Sequence, residues 1–122
     1  MDRRAFEKLV AAAIDELPAE IRDKMENVEV IVETWPGAQV LAKAGVRRPS
    51  DLLGFYQGVP RTRRTHRYGL VLPDKISIYQ GPIELRCRTE DEMRQTVRRV
   101  LRHEIAHHFG LSDAHLRRLG AY

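Results

Sequence analysis

One segment near the C-terminal end of the chain constrains its fold more than any other. Thr89 can cap a helix that begins at Glu90, and Glu92 stands at the position for a reciprocal capping contact. Apolar residues then recur at helical spacing: Met93, Val97, Val100, Leu101 and Ile105. This pattern predicts a long helix over 90–109 with one face in the hydrophobic core.

The last turns of this helix carry two histidines and a glutamate in the pattern His-Glu-x-x-His. His103 and His107 are four residues apart and share one helix face, so both imidazoles can reach one ion at zinc–nitrogen distances of about 2.0–2.1 Å. Glu104 lies beside such an ion, where its carboxylate can take a proton from an activated water and pass it to the leaving amine. These residues predict zinc-dependent peptide hydrolysis, with two histidine ligands and Glu104 as the general base.

A catalytic zinc usually has three protein ligands and one open position, so a third ligand must be found. The sequence after the motif contains no glutamate, which leaves Asp113, His108 and His115 as candidates. Gly110 can adopt the left-handed conformation that ends a helix, and a sharp turn there would return Asp113 to the metal. We therefore predict Asp113 as the third ligand. Ser112 can also cap a last short helix whose N-terminus Asp113 would stabilise, and the two roles of Asp113 can coexist.

The remaining histidines have other expected environments. His108 shares the helical phase of the apolar face, which predicts that it packs in the core or supports a metal ligand from behind. His115 and His66 are expected at the surface.

The motif His103, Glu104, His107, Gly110 and Asp113 resembles the His-Glu-x-x-His-x-x-Gly-x-x-Asp form of the zincin metallopeptidases. More of the chain is similar to one small bacterial family, the minimal zincin-like metallopeptidases with a matrix-metalloprotease-like domain. The similar segments outside the motif are residues 52–60 and 72–83. The resemblance implies a compact α+β minimal zincin-like fold that binds Zn²⁺ and cleaves a peptide or protein substrate.

The rest of the chain predicts short elements ahead of the long helix. Helical spacing over residues 5–17, followed by Pro18, predicts two N-terminal helices. Residues 28–33 are β-branched and partly alternating, which predicts a strand, and residues 52–56, 69–72 and 76–79 are further strand candidates. A turn at Asp74 and Lys75 is expected to join the last two. The prediction is one α+β domain over 1–122: N-terminal helices, a small mixed sheet of short strands, and the long helix followed by a short one.

A peptide substrate can be presented to such a site by adding to an exposed sheet edge. The family resemblance leads us to assign residues 76–79 to that edge strand. The sequence of this segment agrees at least as well with a core strand.

Composition indicates the class of protein and its compartment. With 43% hydrophobic and 31% charged residues, the chain is ordinary for a soluble globular domain. It contains no apolar run long enough to cross a membrane, and its N-terminus lacks the pattern of a secretory signal. The single cysteine, Cys87, cannot form an internal disulfide. We therefore expect a cytoplasmic protein without a membrane partner.

Two alternative functions follow from the same sequence. Basic residues outnumber acidic ones by 21 to 17, and four arginines lie within 61–67 beside Tyr68, which could support nucleic-acid binding. No recognised nucleic-acid-binding module accompanies this patch, so we favour it less. The protein could also hold zinc without catalysis, as a degenerate peptidase or a peptide-binding module. Glu104 disfavours this alternative, because a site that only holds metal does not require a carboxylate beside the open position.

Overall fold

The computed structural model describes residues 1–58 and 72–119. Along the chain the elements are α1 (Arg3–Asp15), α2 (Ala19–Lys24), β1 (Val28–Glu33), α3 (Ala38–Ala44), a 3₁₀ turn (Pro49–Asp51), β2 (Gly54–Gln57), β3 (Asp74–Tyr79), α4 (Gln80–Arg86), α5 (Glu90–Phe109) and α6 (Asp113–Arg118). The predicted α+β class is therefore confirmed. Among the described residues, no helix combines the length and apolarity that crossing a bilayer requires.

The described part of the chain forms a sheet of three strands in the spatial order β1, β3, β2. β1 is parallel to β3 and β2 is antiparallel to it, so the sheet is mixed, as predicted. β3 lies in the centre, and Ile76 and Ile78 on it are completely buried. Among residues 1–58 and 72–119, β1 and β2 each pair with β3 alone. The prediction that 76–79 forms the exposed edge is therefore wrong, and the core-strand alternative is correct.

The predicted turn at Asp74 and Lys75 is also wrong, because both residues belong to β3. The Asp74 N–H donates to the carbonyl of Asn27 at 3.0 Å, and Lys75 is paired with Glu29 on one side and Gln57 on the other. Pairing with strands on both sides outweighs the local turn preference of these two residues.

The first strand occupies 28–33 as predicted, whereas the second begins two residues later than expected, at Gly54. The candidate strand at 69–72 lies outside the described residues except for Leu72, which is not in a strand. The short helices α3 and α4 were not predicted. In α4 the Gly81-Pro82 pair falls within the first turn, where proline is tolerated because its missing N–H would have no helical partner.

The two N-terminal helices are confirmed. α1 begins at Arg3, where the Asp2 carboxylate accepts a hydrogen bond from the Ala5 N–H at 2.7 Å, and α2 follows directly after Pro18. Both helices pack against α5, which also contacts α4, β2 and β3. The fully buried face of α5 consists of Val97, Leu101 and Ile105. Each such side chain contributes about 1.5–3 kcal/mol by burial, so α5 is fixed firmly against the sheet.

The ends of α5 follow the sequence signals. The Thr89 hydroxyl accepts a hydrogen bond from the Glu92 N–H at 3.1 Å and lies 3.3 Å from the Glu92 carboxylate. The helix ends at Phe109 because Gly110 adopts the left-handed conformation, with φ 70° and ψ 26°. Two residues later Ser112 caps α6 by accepting from the His115 N–H at 3.0 Å. The predicted long helix followed by a short helix is confirmed.

Candidate active site

The three predicted zinc ligands lie around one cavity at the C-terminal end of α5. His103 and His107 are exposed on one face of the helix, and Asp113 is the exposed first residue of α6. A cavity of about 230 Å³ is lined by all three residues. Its remaining wall is apolar and consists of Ala106, Leu111 and Leu116. The reversal of the chain at Gly110 is what brings Asp113 to the same cavity as the histidines.

The three side chains do not form a preassembled ligand set. Within residues 1–58 and 72–119, no three His, Cys, Asp or Glu side chains are close enough together to hold a metal ion. Two imidazoles and one carboxylate nevertheless match the donors of a catalytic zinc site. All three side chains are exposed, so their rotamers can change without disturbing the core. The donor set therefore fits zinc, and binding would have to reorganise these side chains.

Glu104 is half-buried and lies beside this cavity without lining it. Its Oε2 accepts a hydrogen bond from the backbone N–H of Tyr56 at 3.3 Å. Burial raises the pKa of the Glu104 carboxyl above its ordinary value, while the Tyr56 N–H and the nearby His107 act in the opposite direction. A carboxyl group with a raised pKa is better suited to accept and return a proton near neutral pH than an ordinary surface carboxylate.

The Tyr56 N–H lies on the outer edge of β2. The Leu53 carbonyl accepts from the Tyr79 N–H at 2.9 Å, so Leu53 is hydrogen-bonded to the β3 side. In an antiparallel pair alternate residues face the partner strand, which directs Phe55 to β3 and the backbone groups of Gly54 and Tyr56 away from it. The hydrogen bond from Tyr56 to Glu104 agrees with this alternation. The outer edge of β2 therefore runs directly past Glu104.

The Tyr56 side chain joins β2 to β3 and to the last turn of α5. Its hydroxyl donates to Oδ2 of Asp74 at 2.5 Å, and Asp74 is only 3% exposed. Its ring stacks on His108, with the ring centroids 3.9 Å apart and the planes 17° from parallel. Nε2 of His108 lies 3.7 Å from the same Asp74 oxygen. The cluster of Tyr56, Asp74 and His108 thus ties the residue after His107 to the sheet.

This arrangement corrects one prediction about the other histidines. His108 does not pack in the core: its side chain is 38% exposed, because the buried residues of α5 end at Ala106. The alternative, that His108 supports a metal ligand from behind, stays a prediction. Nε2 of His115 lies 2.7 Å from the Glu20 carboxylate, in a partly buried hydrogen bond. His66 lies outside the described residues.

The sequence identified the candidate metal ligands and the candidate proton acceptor. It did not indicate that the backbone N–H of Tyr56 contacts Glu104 or that Asp74 is buried beside the site. The sequence offers Tyr56, Tyr68 and Tyr79 as possible donors to a developing oxyanion. Tyr79 cannot have this role because it is only 1% exposed in the core, and Tyr68 lies outside the described residues. The Tyr56 hydroxyl is hydrogen-bonded to Asp74. A backbone N–H has no sequence signature, since every residue except proline supplies one.

A second cavity lies on the other side of the motif. It measures about 250 Å³ and shares His103 with the first cavity. α5 contributes Arg99, Val100, His103 and Glu104 to its lining, and the chain that leads into β2 contributes Leu52, Leu53 and Gly54. Two cavities therefore flank the segment that carries the predicted catalytic residues.

Comparison with known proteins agrees with the family resemblance found in the sequence. Residues 25–121 match the family model described as zincin-like metallopeptidase. A search of curated proteins gave no match. The family match covers most of the chain, and it includes the sheet, α5, α6 and every predicted site residue. The chain belongs to the zincin-like metallopeptidase family.

Proposed function

We propose that this protein is a zinc-dependent peptidase in which His103, His107 and Asp113 bind the ion and Glu104 transfers the proton. The observation that carries the proposal is the shared cavity: the turn at Gly110 places a carboxylate on the same cavity as both motif histidines. Membership of a metallopeptidase family supports the same conclusion. When bound, zinc would polarise the scissile carbonyl and acidify a water molecule.

Glu104 is well placed to act as general base and then as general acid. The Tyr56 N–H holds its Oε2, which fixes the orientation of the carboxylate and leaves Oε1 to accept the proton of the attacking water. Partial burial favours the protonated form once the proton has been taken, so that it can be passed to the leaving amine. A protein that merely stored zinc would have no use for a carboxyl group anchored in this way.

We propose the outer edge of β2, in place of β3, as the strand edge that a peptide substrate joins. The N–H and the carbonyl of Gly54 face outward there, whereas the outward N–H of Tyr56 is already donated to Glu104. An extended peptide that pairs with Gly54 would bring its carbonyls past the two flanking cavities. The alternative of nucleic-acid binding depends on the arginine-rich segment 60–68, which lies almost entirely outside the described residues, so it stays a prediction.

The first test is metal content, measured by elemental analysis of protein purified without a metal-affinity tag. We expect one zinc per chain in the wild type, and much weaker zinc retention in Asp113→Ala. Asp23→Ala is the matched control, because Asp23 is also an exposed residue of a short helix but does not line the cavity. Glu104→Gln should retain zinc and lose peptide hydrolysis, because it removes the proton acceptor and not a ligand.

Two results would contradict the proposal in different ways. A wild-type protein that retains no zinc, even after zinc is added back, would refute the metallopeptidase function. If Asp113→Ala retained zinc as tightly as the wild type, the third ligand would have to be another residue, with His108 and His115 as the remaining sequence candidates. Loss of zinc together with hydrolysis in Glu104→Gln would refute the division of roles.

A further inference from the structure

A groove runs between α1 and the outer edge of β1, at the other end of the sheet from β2. It is lined by residues 29–32 of β1 and by one face of α1, which consists of Glu7, Val10, Ala11 and Ile14. The groove measures about 440 Å³, roughly fifteen molecules of liquid water, whereas the two cavities beside the motif measure about 250 and 230 Å³. It therefore has room for several small side chains.

Along this groove β1 has backbone groups that face away from β3. The Asn27 carbonyl accepts a hydrogen bond from the first residue of β3, so odd-numbered residues of β1 face that strand. The Val32 carbonyl accepts instead from the Arg3 guanidinium at 2.9 Å, which places even-numbered residues on the outer edge. Val30 therefore faces outward as well. Within residues 1–58 and 72–119, no group hydrogen-bonds the outward N–H or carbonyl of Val30.

Other contacts set the two ends of this outward stretch. The Val28 N–H donates to the Met25 carbonyl at 3.0 Å, and Arg3 occupies the Val32 carbonyl. The Val28 carbonyl, both groups of Val30 and the Val32 N–H lie between these contacts. An extended peptide pairs through just such groups on alternate residues, so a short strand can add to 28–32 without displacing either contact.

The charges around the groove indicate what kind of strand would join it. The charged residues in its lining are Glu7 and Glu29, and both are exposed. Glu29 is in register with Lys75 of β3, yet no ion pair joins them, and neither glutamate is ion-paired with any other described residue. Successive side chains of a strand point to opposite faces, so a residue opposite Glu29 would meet this carboxylate while its neighbours contact Val30 and α1. A basic residue flanked by apolar ones satisfies both faces.

A second copy of this chain fits the groove less well than a basic segment does. If two copies paired through β1, Glu7 and Glu29 of both would meet in one interface, and like charges across a strand pair are destabilising. Positive charge is already accepted at this edge, because the Arg3 guanidinium binds the Val32 carbonyl and the Thr34 hydroxyl there.

We infer that the groove between α1 and β1 binds an extended basic segment of a partner protein. This segment adds to the outer edge of β1, with apolar side chains against α1 and an arginine or lysine opposite Glu29. The binding surface is separate from the proposed peptidase site and requires neither zinc nor hydrolysis.

The probe is a capped, fluorophore-labelled hexapeptide in which valine and arginine alternate, and its binding to the full chain is measured by anisotropy. It should bind about fivefold more tightly than the same peptide with citrulline, which keeps the shape of arginine without its charge. Glu29→Lys should weaken binding by about tenfold, because it replaces an attraction by a repulsion. Glu26→Lys is the matched control: it makes the same charge change at an exposed residue that does not line the groove, and it should keep most of the affinity. Affinities should be equal with and without added zinc, so failure of the peptidase function leaves this test intact.

Amide hydrogen exchange followed by NMR locates the bound peptide. The N–H groups of Val30 and Val32 should exchange about tenfold more slowly when the peptide is saturating, whereas exchange at Gly54 of β2 should not change. Protection of Gly54 in place of Val30 overturns the proposal, as does equal binding of the arginine and citrulline peptides or the absence of binding. Equal losses of affinity in Glu29→Lys and Glu26→Lys also overturn it. Protection of Val30 that increases with protein concentration, without peptide, would identify a second copy as the occupant and refute a basic partner.

Discussion

Replacing Gly54 by alanine tests how closely β2 and α5 must approach each other. A Cβ atom at this position would lie 2.6 Å from Cγ1 of Val100 and 3.1 Å from the carbonyl oxygen of Ser77. Neither neighbour can easily move away. Valine has one strongly preferred rotamer in a helix, and Ser77 belongs to the central strand β3. We therefore expect β2 to shift away from α5 when the methyl group is added.

The expected cost follows from overpacking. Forcing one extra methyl group into a well-packed contact costs about 1–3 kcal/mol of unfolding free energy. The same shift would lengthen the hydrogen bond from Tyr56 to Glu104, which already measures 3.3 Å. Hydrogen bonds to charged groups contribute about 1.5–3 kcal/mol, so the orientation of Glu104 should also become less well defined. Gly54→Ala should therefore lower both stability and peptide hydrolysis.

Urea unfolding followed by circular dichroism measures the stability effect in a double-mutant cycle with Val100→Ala. Removing Cγ1 of Val100 makes room for the new methyl group, so most of the cost of Gly54→Ala should disappear in this background, with a coupling energy of about 1–2 kcal/mol. Gly37→Ala is the control: a Cβ there would meet nothing within 4 Å. Because Gly37 is the N-cap of α3, where glycine is preferred to alanine, stability should fall by up to about 1 kcal/mol, without coupling to Val100→Ala. Strictly additive effects of Gly54→Ala and Val100→Ala would refute the close contact as the cause.

Three further substitutions give separable outcomes in the same unfolding assay. Tyr56→Phe keeps the ring but removes the hydroxyl that donates to buried Asp74, and it should cost about 1–3 kcal/mol; unchanged stability would show that this carboxylate is satisfied without it. Gly110→Ala puts a side chain on a residue in the left-handed conformation, at φ 70°, and should cost about 1–2 kcal/mol of unfolding free energy. It should also weaken zinc retention, because the turn at Gly110 positions Asp113; unchanged zinc retention would contradict this role. Ser112→Ala removes the cap of α6 and should cost about 0.5–2 kcal/mol; no loss would mean that the serine hydroxyl does not stabilise this helix.

The bounds of α5 could be predicted from the sequence because local interactions set them. Thr89 and Glu92 are three residues apart, and the end of the helix depends on the conformational freedom of Gly110 alone. The i, i+4 spacing of His103 and His107 fixes their common face in the same way. Interactions of this kind involve residues only a few positions apart, so the helix ends can be predicted without knowing the rest of the fold.

The position of β3 could not be predicted, because strand order depends on pairing between distant segments. β3 pairs with β1, which lies more than forty residues earlier, and with β2 across the segment 59–71. Nothing local distinguishes a central strand from an edge strand when both carry apolar residues. The same reason explains the missed interaction between Tyr56 and Glu104, which are 48 residues apart in the chain.

α5 and β2 together carry almost every group in the proposed reaction, so their separation links stability to function. α5 provides two ligands and the proton acceptor, while β2 provides the proposed substrate edge and the N–H that holds Glu104. The contact of Gly54 with Val100 and the stacking of Tyr56 on His108 hold the two elements together at either end of β2. A change in their distance would therefore move the general base and the substrate edge at once. This coupling is why we expect Gly54→Ala to reduce hydrolysis and stability together, whereas Gly37→Ala should leave hydrolysis unchanged.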